Sequence, residues 1–571
     1  DTDRIRLFSA AQGARDIEGL LTEIDRTNLW SLAERPFDLE GILIKWNEDH
    51  VLGSRLDLLR HNIDTRLRDD HSIDRAQLQP LNLELAKEGA RCLAAAVVLS
   101  GKPGLNVPDS IQVKPGIDAE AVLVDWRPQE VRALLERGIF NDIIYGTVRF
   151  RHREVLELLA AEWFDGLLRR GGSRTTIEAL FFREQYGEKI VTPRLRSVLP
   201  WLILFDDTIR LSALQILPEL AVEGGDPSRL PLRERQEILA NIVRRIATNE
   251  DGRTARDHSA IARIANPELS PDTLQLINAY RNNDDAIFFL GRLAWQGNMS
   301  ACIHPLAEIA VDPTRGIYAR IASVRAVLAC GLLEDKRFVW RQINESDSLI
   351  PRQLLAEILD GAEPELESVE QFLSSLSKLP PFERFTSTGL RSSIHNFIGR
   401  LSIDPDPQNI TQLIDGLLGY LETDPYIERG ECQVSEEYAW LLGPAVHAAE
   451  RLIEQRNPAS LETNTLSILL MVPALRFWNG SDFNDYKDNL SKMVPAWPEL
   501  NDALYWASID QARRRYTSES SEPLINDRLV SWLGHFWRFD ESSLPRLLDF
   551  IRSRPSLEDK LVALSTAFRV Y

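Results

Sequence analysis

VRFRHREVLELLAA, residues 148–161, turns from a strand-like run into an amphipathic helix at a single histidine. Residues 142–152 alternate bulky apolar and polar side chains around Gly146, which predicts a short hairpin. From Arg153 onward, apolar side chains recur at helical spacing, which predicts a long helix. His152 is therefore expected to lie where the two elements meet.

The composition is that of a large folded protein of acidic character. The chain has 571 residues, of which 44% are hydrophobic, so it can bury several cores. Its 85 acidic residues outnumber the 66 basic ones and give a net charge of −19, which disfavours non-specific binding to nucleic acid or to an anionic membrane surface. The four cysteines are scattered without CxxC spacing, which is typical of reduced thiols in a cytoplasmic protein and predicts neither a metal site nor disulfides.

The sequence shows no signal for secretion or for membrane insertion. No apolar run reaches the roughly 18 residues that a membrane span needs, and no basic segment leads into an apolar one as in a signal peptide. The chain opens at Asp1 without methionine and stops at Tyr571 directly after a helical pattern. We therefore expect a partial polypeptide without membrane spans.

The first 170 residues predict helices followed by a small β-wing. Helical patterns cover parts of residues 4–46, 51–67 and 81–100, and Pro36 suits the start of a helix because it lacks an N–H group. A further helix is expected from Arg127 to Gly138, ahead of the hairpin. Three helices followed by a two-stranded wing are typical of a winged helix, but acidic and basic residues balance on the would-be recognition helix, so we expect no specific DNA binding.

From residue 172 onward the sequence predicts a succession of helices of about ten to fifteen residues, separated by short segments of polar residues, glycine or proline. Almost no strand-like alternation occurs in this region. Residues 303–331 resemble a HEAT-type repeat, but no period recurs cleanly, which favours an irregular HEAT/TPR-like α-solenoid within a mainly α fold. Candidate linkers lie at residues 224–227, 379–381 and 516–523. The expected divisions are 1–20, a short N-terminal piece; 21–75, a helical domain; 76–170, a winged helix; 171–380, HEAT-like repeats; and 381–571, C-terminal helical repeats.

The motifs of common catalytic sites are missing. A P-loop needs GxxxxGK(S/T), and the nearest strings, at residues 100–104 and 171–175, lack that spacing. HExxH and GxSxG do not occur either, and the acidic pairs within residues 205–207 and 283–285 look like helix caps. We therefore expect neither a catalytic residue nor a metal ligand set in this chain.

His152 has two interpretations. In one, it closes the hairpin and hydrogen-bonds the start of the following helix, as an isolated histidine commonly does. In the other, it belongs to an anion site, because Arg149, Arg151 and Arg153 surround it and the positive end of a helix dipole lies beside it. A phosphate is the anion that such a group would suit.

Residues 150–161, Phe-x-His-x-x-Val-x-Glu-Leu-Leu-Ala-Ala, resemble the winged-helix signature of NACHT-type STAND ATPases, Phe-x-His-x-x-Phe-x-Glu-(aromatic or Leu)-x-Ala-Ala. In that family the histidine contacts the β-phosphate of ADP and locks the resting form, so the resemblance implies this role for His152. The sequence departs from the family pattern at Val155, where the family favours a bulkier residue. That departure bears on packing more than on chemistry.

Residues 30–39, WSLAERPFDL, are similar to the helical-domain segment of the same family, in which a proline lies against the adenine. The resemblance implies that role for Pro36, while an ordinary helix-start proline remains the alternative. The order of the two motifs matches the family over roughly residues 1–170. The resemblance therefore implies that residues 1–20 are the end of a nucleotide-binding domain and that residues 381–571 are sensor repeats. The P-loop domain, which would supply the magnesium-binding acids for ATP or ADP, would lie upstream, so this chain alone is expected to hold no nucleotide.

The resemblance also implies a biological role. In such proteins the C-terminal repeats sense a ligand, the ATPase core oligomerises, and an N-terminal domain acts as effector; bacterial members resemble antiviral sensors of innate immunity that recognise phage proteins. Six tryptophans lie in the last 132 residues, where they could form either a protein interface or solenoid cores; they are Trp440, Trp478, Trp497, Trp506, Trp532 and Trp537. The competing interpretation of the whole chain is an α-solenoid scaffold for protein–protein contacts without a nucleotide role.

Overall fold

The computed structural model describes residues 2–14, 16–26, 29–33, 36–68, 81–109, 116–250, 258–381, 388–429, 432–477, 480–515 and 536–571. Helices account for 69% and strands for 5% of the structure, which confirms the predicted mainly α fold. The chain divides into two compact units: Asp1–Ile309 with Ala329–Gly331, and Ala310–Leu328 with Leu332–Tyr571. Among the helices of the ranges given above, none is long and apolar enough to cross a membrane.

The N-terminal part of the first unit is a group of short helices around one apolar core. Leu20, Ile24, Ile42 and Leu52 are almost completely buried in it. Pro36 is the first residue of its helix, as its missing N–H group predicts. The helices are Thr2–Ala11 (α1), Ile17–Arg26 (α2), Trp30–Ala33 (α3), Pro36–Asp49 (α4) and Arg55–Arg68 (α5).

A second group of helices carries the small sheet that the sequence predicted as a wing. Its helices are Leu83–Ser100 (α6), Ala119–Val122 (α7), Pro128–Leu135 (α8) and Arg153–Arg169 (α9). Its strands are Leu105–Asn106 (β1), Ile117–Asp118 (β2) and Thr147–Val148 (β3), in the order β2-β1-β3, with β1 parallel to β2 and antiparallel to β3. The predicted hairpin is present, since Phe140 pairs with Phe150 and Ile144 with Thr147 around Gly146. The small sheet is compatible with a winged helix.

The remainder of the first unit continues with short helices and one hairpin. The helices are Arg174–Phe181 (α10), Leu199–Leu202 (α11), Asp207–Ile216 (α12), Leu220–Glu223 (α13), Leu232–Ala247 (α14), His258–Ile264 (α15), Ser270–Ala279 (α16) and Asp284–Gln296 (α17), followed by Ile303–Val311 (α18), which runs into the second unit. The hairpin pairs Phe182–Gln185 (β4) with Glu188–Val191 (β5). Sequence reasoning missed it because its strand side chains are largely exposed and show no apolar alternation.

The segment at residues 224–227 is a packed turn, not the linker that its glycines suggested. Asp226 is 3% exposed, and its Oδ2 accepts a hydrogen bond of 2.9 Å from the backbone N–H of Leu56. Gly225 has φ +66°, and a Cβ atom there would lie 2.1 Å from the carbonyl oxygen of Pro200. The turn therefore fixes the later helices of the unit against α5. The candidate linker at 516–523 lies outside the described residues.

The second unit is a stack of helices in two rows, the arrangement expected of an α-solenoid. The helices are Ile317–Cys330 (α19), Leu333–Glu345 (α20), Arg352–Asp360 (α21), Leu366–Leu376 (α22), Leu390–Arg400 (α23), Gln408–Leu421 (α24), Leu442–Glu454 (α25), Thr463–Met471 (α26), Gly480–Met493 (α27), Pro498–Arg515 (α28), Leu544–Ser553 (α29) and Leu557–Val570 (α30). One row packs α21, α23, α25 and α27 in succession, and the other packs α20, α22, α24, α26 and α28. A short hairpin of Tyr426–Arg429 (β6) and Cys432–Ser435 (β7) interrupts the stack and was also missed from the sequence.

Arginine side chains join successive layers of this stack in two ways. In the first layers they form ion pairs, such as Arg325 with Glu357, at 2.5 and 2.7 Å. In later layers they donate to carbonyl groups at the end of a helix in the preceding layer. Arg400 donates to the Leu359 carbonyl at 2.6 Å, and Arg451 donates to the Leu401 carbonyl at 2.9 Å. These bonds satisfy carbonyl groups that a helix end leaves without an intrahelical partner.

The tryptophans near the C-terminus mainly fill cores. Trp497, Trp506 and Trp537 are between 8% and 9% exposed. Trp440 is half-buried, with the guanidinium carbon of Arg352 4.6 Å from the centre of its ring. Of the two interpretations open from the sequence, the structure favours core packing at these positions. Trp478 and Trp532 lie outside the described residues.

Two histidines stack between α23 and α25. The ring centroids of His395 and His447 are 3.7 Å apart, with an angle of 19° between the ring planes. Burial, reinforced by the nearby His395 and by Arg451, lowers the pKa of His447 to about 4. The imidazole of His447 is therefore neutral at pH 7, and charging it costs free energy in the folded state.

We expect the second unit to lose stability as the pH falls from 6.5 to 4. The unfolded chain binds a proton on His447 near pH 6.5, while the folded chain does so only near pH 4, so unfolding takes up a proton between these values. The full shift corresponds to about 3 kcal/mol, which solvent screening at this incompletely buried site reduces to about 1–2 kcal/mol.

Chemical denaturation at several pH values measures this loss. His447→Gln, which stays neutral, should flatten the dependence over this interval. An unaltered slope in His447→Gln would contradict the assignment of the pH effect to this pair.

Candidate functional site

His152 lies at the junction that the sequence predicts, as the N-cap residue of α9. Its backbone is extended, with φ −127° and ψ 136°, and its side chain is half-buried. The imidazole makes no capping hydrogen bond to the first N–H groups of α9. The part of the first interpretation in which the ring of His152 hydrogen-bonds the start of the helix is therefore wrong.

The surroundings of His152 favour the neutral form of its ring. Burial lowers its pKa from the ordinary value, and the positive charges of Arg66 and Arg151 lower it further. A neutral imidazole carries one N–H donor and one acceptor nitrogen. Near two guanidinium groups, such a ring suits the recognition of an anionic oxygen, to which it can donate a hydrogen bond without adding a third positive charge.

Arg66, near the end of α5, is a site residue that sequence reasoning did not single out. Its guanidinium donates to Asn62 Oδ1 at 2.7 Å and to Glu40 Oε2 at 3.0 Å. Its carbonyl oxygen accepts a hydrogen bond of 3.2 Å from the N–H of Gly138, in the loop that leads into the hairpin. Arg66 therefore joins α4, α5 and the surroundings of His152.

The two residues assigned from the family resemblance lie on elements that Arg66 brings together. Pro36 begins α4, and Glu40, one turn later on the same helix, binds the guanidinium of Arg66. The charge of Arg66 in turn acts on His152. The structure describes the backbone of Pro36 as the start of α4 and does not describe its side chain, so a contact of the proline ring with adenine stays a prediction.

Ion pairs fasten α5 to α9 directly behind His152. Arg55 Nη2 lies 2.7 Å from both carboxylate oxygens of Glu154. Farther along α9, Glu162 accepts from Arg60 of α5 and from Arg91 of α6, each at 2.9 Å. Charge-assisted bonds of this length are among the stronger polar contacts in proteins, so the helical group and the winged-helix group meet in a fixed register.

The three arginines next to His152 are placed differently from one another. Arg149 is exposed, and Arg151 donates to the Phe140 carbonyl across the hairpin. Arg153 pairs with Glu157 at 2.6 Å, although 79% of its side chain is exposed. The structure therefore places Arg151 close to His152, together with Arg66, and directs Arg153 to the neighbouring carboxylate.

The remaining positions of the signature serve packing. Ala160 and Ala161 are completely buried where α9 packs against α6, and side chains this small let the two helices approach closely. Val155, the departure from the family pattern, is 4% exposed and belongs to the same core. Glu157 is 8% exposed, and burial raises its pKa.

The space enclosed by α4, α5 and the start of α9 is small. It measures about 20 Å³ and is lined by Asp38, Gly41, Ile42, Arg55, Leu58, Leu59, Asn62 and Glu154. Sites for small molecules usually measure about 300–1,000 Å³. This space cannot hold a nucleotide, so any nucleotide that reaches His152 needs walls from elsewhere.

Comparison with models of known protein families and with curated proteins found no match for this chain. Within the described ranges, no three histidine, cysteine, aspartate or glutamate side chains come together as the ligands of a metal ion would. The functional assignment therefore rests on the geometry around His152 and on the two sequence motifs.

Proposed function

We propose that this chain is the regulatory and ligand-sensing portion of a cytoplasmic NACHT-type STAND ATPase. In this proposal His152 and Pro36 hold ADP in the resting state, and an upstream P-loop domain supplies the phosphate loop and the magnesium ligands. The helical repeats bind a foreign protein, of phage origin, and binding leads to exchange of ADP for ATP, homo-oligomerisation and activation of an N-terminal effector in innate antiviral defence.

One observation carries the nucleotide part of the proposal. The side chain of His152 is half-buried at the start of α9, where burial and the charges of Arg66 and Arg151 lower its pKa. A donor held in this way can bind a terminal phosphate oxygen of ADP while the arginines offset its negative charge. Because Arg66 also binds Glu40 of α4, the presence or absence of the phosphate would affect the helix that begins at Pro36.

The proposed partner surface is supported by exposed apolar side chains on the last helix of the second unit. Leu557, Leu561, Leu564 and Phe568 are 72%, 56%, 40% and 76% exposed. Their spacing of four, three and four residues puts them on one face of α30. Contiguous apolar surface of this kind is typical of contact sites with another protein, and the opposite face of α30 packs against Tyr505 of α28.

The test requires the intact protein, with its upstream domains. We expect His152→Ala to reduce the ADP that copurifies with the protein at least tenfold and to raise ligand-independent assembly, because the phosphate loses a donor that keeps the resting form closed. Nucleotide content measured after denaturation, together with light scattering after size exclusion, reports both effects.

His304→Ala is the matched control, since it removes a histidine whose side chain is 88% exposed on α18. It should leave nucleotide content and mass unchanged. An unchanged ADP content and a monomeric profile in His152→Ala would contradict the proposed role of His152 in holding ADP.

The second candidate is a protein–protein scaffold without a nucleotide role. It is favoured by the space of only about 20 Å³ beside Glu154 and by the two-row helical stack of the second unit, which needs no nucleotide to form a binding surface. The two candidates differ in the sequence that precedes Asp1. A GxxxxGK(S/T) motif there supports the ATPase, and its absence from the full gene favours the scaffold.

A further inference from the structure

A buried carboxylate from the later part of the first unit caps α5. Asp226 is 3% exposed, and its Oδ2 accepts a hydrogen bond of 2.9 Å from the N–H of Leu56, the second residue of α5. N–H groups in the first turn of a helix have no partner within the helix, and the helix dipole favours a negative group beside them. Asp226 therefore stabilises the start of α5 from 170 positions away in the sequence.

The local cap of α5 does not serve this N–H group. Ser54 and Asp57 cap each other, because the N–H of Asp57 donates to Ser54 Oγ at 3.3 Å and the N–H of Ser54 donates to Asp57 Oδ2 at 3.0 Å. Leu56 is 3% exposed, and a buried N–H group without a partner destabilises the folded state. The N–H of Leu56 therefore depends on the carboxylate of Asp226.

The turn that carries Asp226 is anchored to helices that follow the winged-helix group. Gly225 runs so close to Pro200 of α11 that a Cβ atom there would lie 2.1 Å from the carbonyl oxygen of Pro200. Arg263 of α15 donates to the carbonyl of Val222, in α13, at 2.9 Å. Because these elements are packed without room to slide, a displacement of α11, α13 or α15 moves the carboxylate of Asp226 as well.

The first turn of α5 also holds the first turn of α9. Arg55, next to Leu56, lies 2.7 Å from both carboxylate oxygens of Glu154, two residues after His152. Only 11% of the Arg55 side chain is exposed, so solvent screens this pair less than an ion pair at the surface. Two adjacent residues of α5 thus connect Asp226 with the start of α9.

The far end of α5 reaches the same region. The carbonyl of Arg66 accepts a hydrogen bond of 3.2 Å from the N–H of Gly138, and the charge of Arg66 acts on His152. The 14 residues of α5 span about 21 Å, and a helix of this length moves as one body. The position of its first turn therefore also sets the position of Arg66.

We propose that Asp226 is a positioning residue for His152, and that a displacement of the helices after the winged-helix group reaches the ADP site through the bond of Asp226 to Leu56. The inference rests on the proposed function, in which His152 holds ADP and the helical repeats bind a foreign protein. In the resting form Asp226 holds α5, and α5 holds the start of α9. Separation of the turn from α5 then frees His152 and weakens the retention of ADP.

Hydrogen–deuterium exchange on the chain itself, measured by mass spectrometry, tests the link without nucleotide. The reporter is the N–H of Leu156, which donates to the His152 carbonyl at 3.3 Å. We expect its exchange to be about fivefold faster or more in Asp226→Ala, because an uncapped α5 loosens the pair of Arg55 with Glu154. Asp226→Asn keeps an acceptor oxygen and loses only the charge, so it should accelerate exchange by only about twofold.

Gly187→Ala is the matched control, because it strains the β4–β5 hairpin of the same unit at φ +79° without touching α5. It should leave the exchange at Leu156 unchanged. Equal acceleration in Gly187→Ala and Asp226→Ala would overturn the proposal in favour of a general loss of stability, as would unchanged exchange in the Asp226 variants. Circular dichroism shows whether each variant is folded, and the comparison of Asp226→Asn with Gly187→Ala decides alone if Asp226→Ala does not fold.

The intact protein, with its upstream domains, separates this inference from the proposed function. There Asp226→Ala should lower the copurifying ADP and raise ligand-independent assembly, as His152→Ala does. Faster exchange with unchanged ADP in both variants would contradict the role of His152 in holding ADP and still support the positioning of His152 by Asp226. Unchanged exchange at Leu156 overturns that positioning, whatever the ADP content.

Discussion

Replacing Gly225 with alanine is expected to destabilise the first unit by about 2–5 kcal/mol. The left-handed backbone at φ +66° raises the free energy of the folded state by on the order of 1–2 kcal/mol when the residue is alanine. Its Cβ would lie 2.1 Å from the carbonyl oxygen and 2.7 Å from the carbonyl carbon of Pro200, and moving a packed backbone costs about 1–3 kcal/mol more. Chemical denaturation measures the change in the free energy of unfolding.

Gly187→Ala separates the two contributions. Gly187 has φ +79°, but no atom lies within 4 Å of the position that its Cβ would take at the tip of the β4–β5 hairpin. Its replacement should therefore cost only the backbone contribution, about 1–2 kcal/mol. Equal losses in the two variants would show that the contact of Gly225 with Pro200 has no energetic weight.

Replacing Tyr505 with alanine is expected to cost the second unit about 3–5 kcal/mol. The ring is completely buried on α28, and the rings of Trp506, Trp537 and Phe539 surround it, each with a centroid 5.0 Å away in an edge-to-face arrangement. Truncation leaves a cavity that these large rings cannot fill without moving. The measurement is the denaturation midpoint, followed by tryptophan fluorescence.

Tyr505→Phe keeps the ring and removes only the hydroxyl group. That hydroxyl lies 2.7 Å from Oγ1 of Thr566 on α30, and one such hydrogen bond is worth about 1 kcal/mol. The phenylalanine variant should therefore lose much less than the alanine variant. A similar loss in both would mean that the hydroxyl, and not the aromatic packing, dominates at this position.

Local signals in the sequence located the element starts around the site. Pro36 begins α4, Pro128 begins α8 and Arg153 begins α9, because a missing N–H group and an apolar period act within one or two turns of chain. The hairpin around Gly146 was predicted from the alternation of apolar and polar side chains over residues 142–152, which is also a local signal. Such features depend on neighbouring residues only, so a single sequence is enough to find them.

The contribution of α5 to the surroundings of His152 could not be predicted, because α5 lies in a distant part of the chain. Arg55 and Glu154 are 99 positions apart, and Arg66 reaches the surroundings of His152 from the far end of α5. Each of these residues also fits an ordinary exposed helix face. Only the folded arrangement distinguishes a buried ion pair from a solvated charge.

The hairpin of β4 and β5 shows the opposite failure, in which a local signal was present but weak. Tyr186 and Gly187 both have positive φ, the geometry of a tight hairpin turn, and glycine at the second position favours it. The flanking strands of four residues carry mostly exposed polar side chains, so the alternation that marks a half-buried strand is missing. The neighbouring segments predict helices, so the turn alone was too weak a signal to predict the hairpin.

The two kinds of arginine contact in the second unit respond differently to ionic strength. Ion pairs such as Arg337 with Glu365, both more than a third exposed, weaken as salt screens opposite charges over about 8 Å in physiological solution. The bonds of Arg400 and Arg451 to carbonyl groups involve only one full charge and are screened less. Added salt should therefore weaken the contacts made by α19 and α20 more than those made by α23 and α25. The flexibility of the second unit should then vary along its length with the ionic strength of the medium.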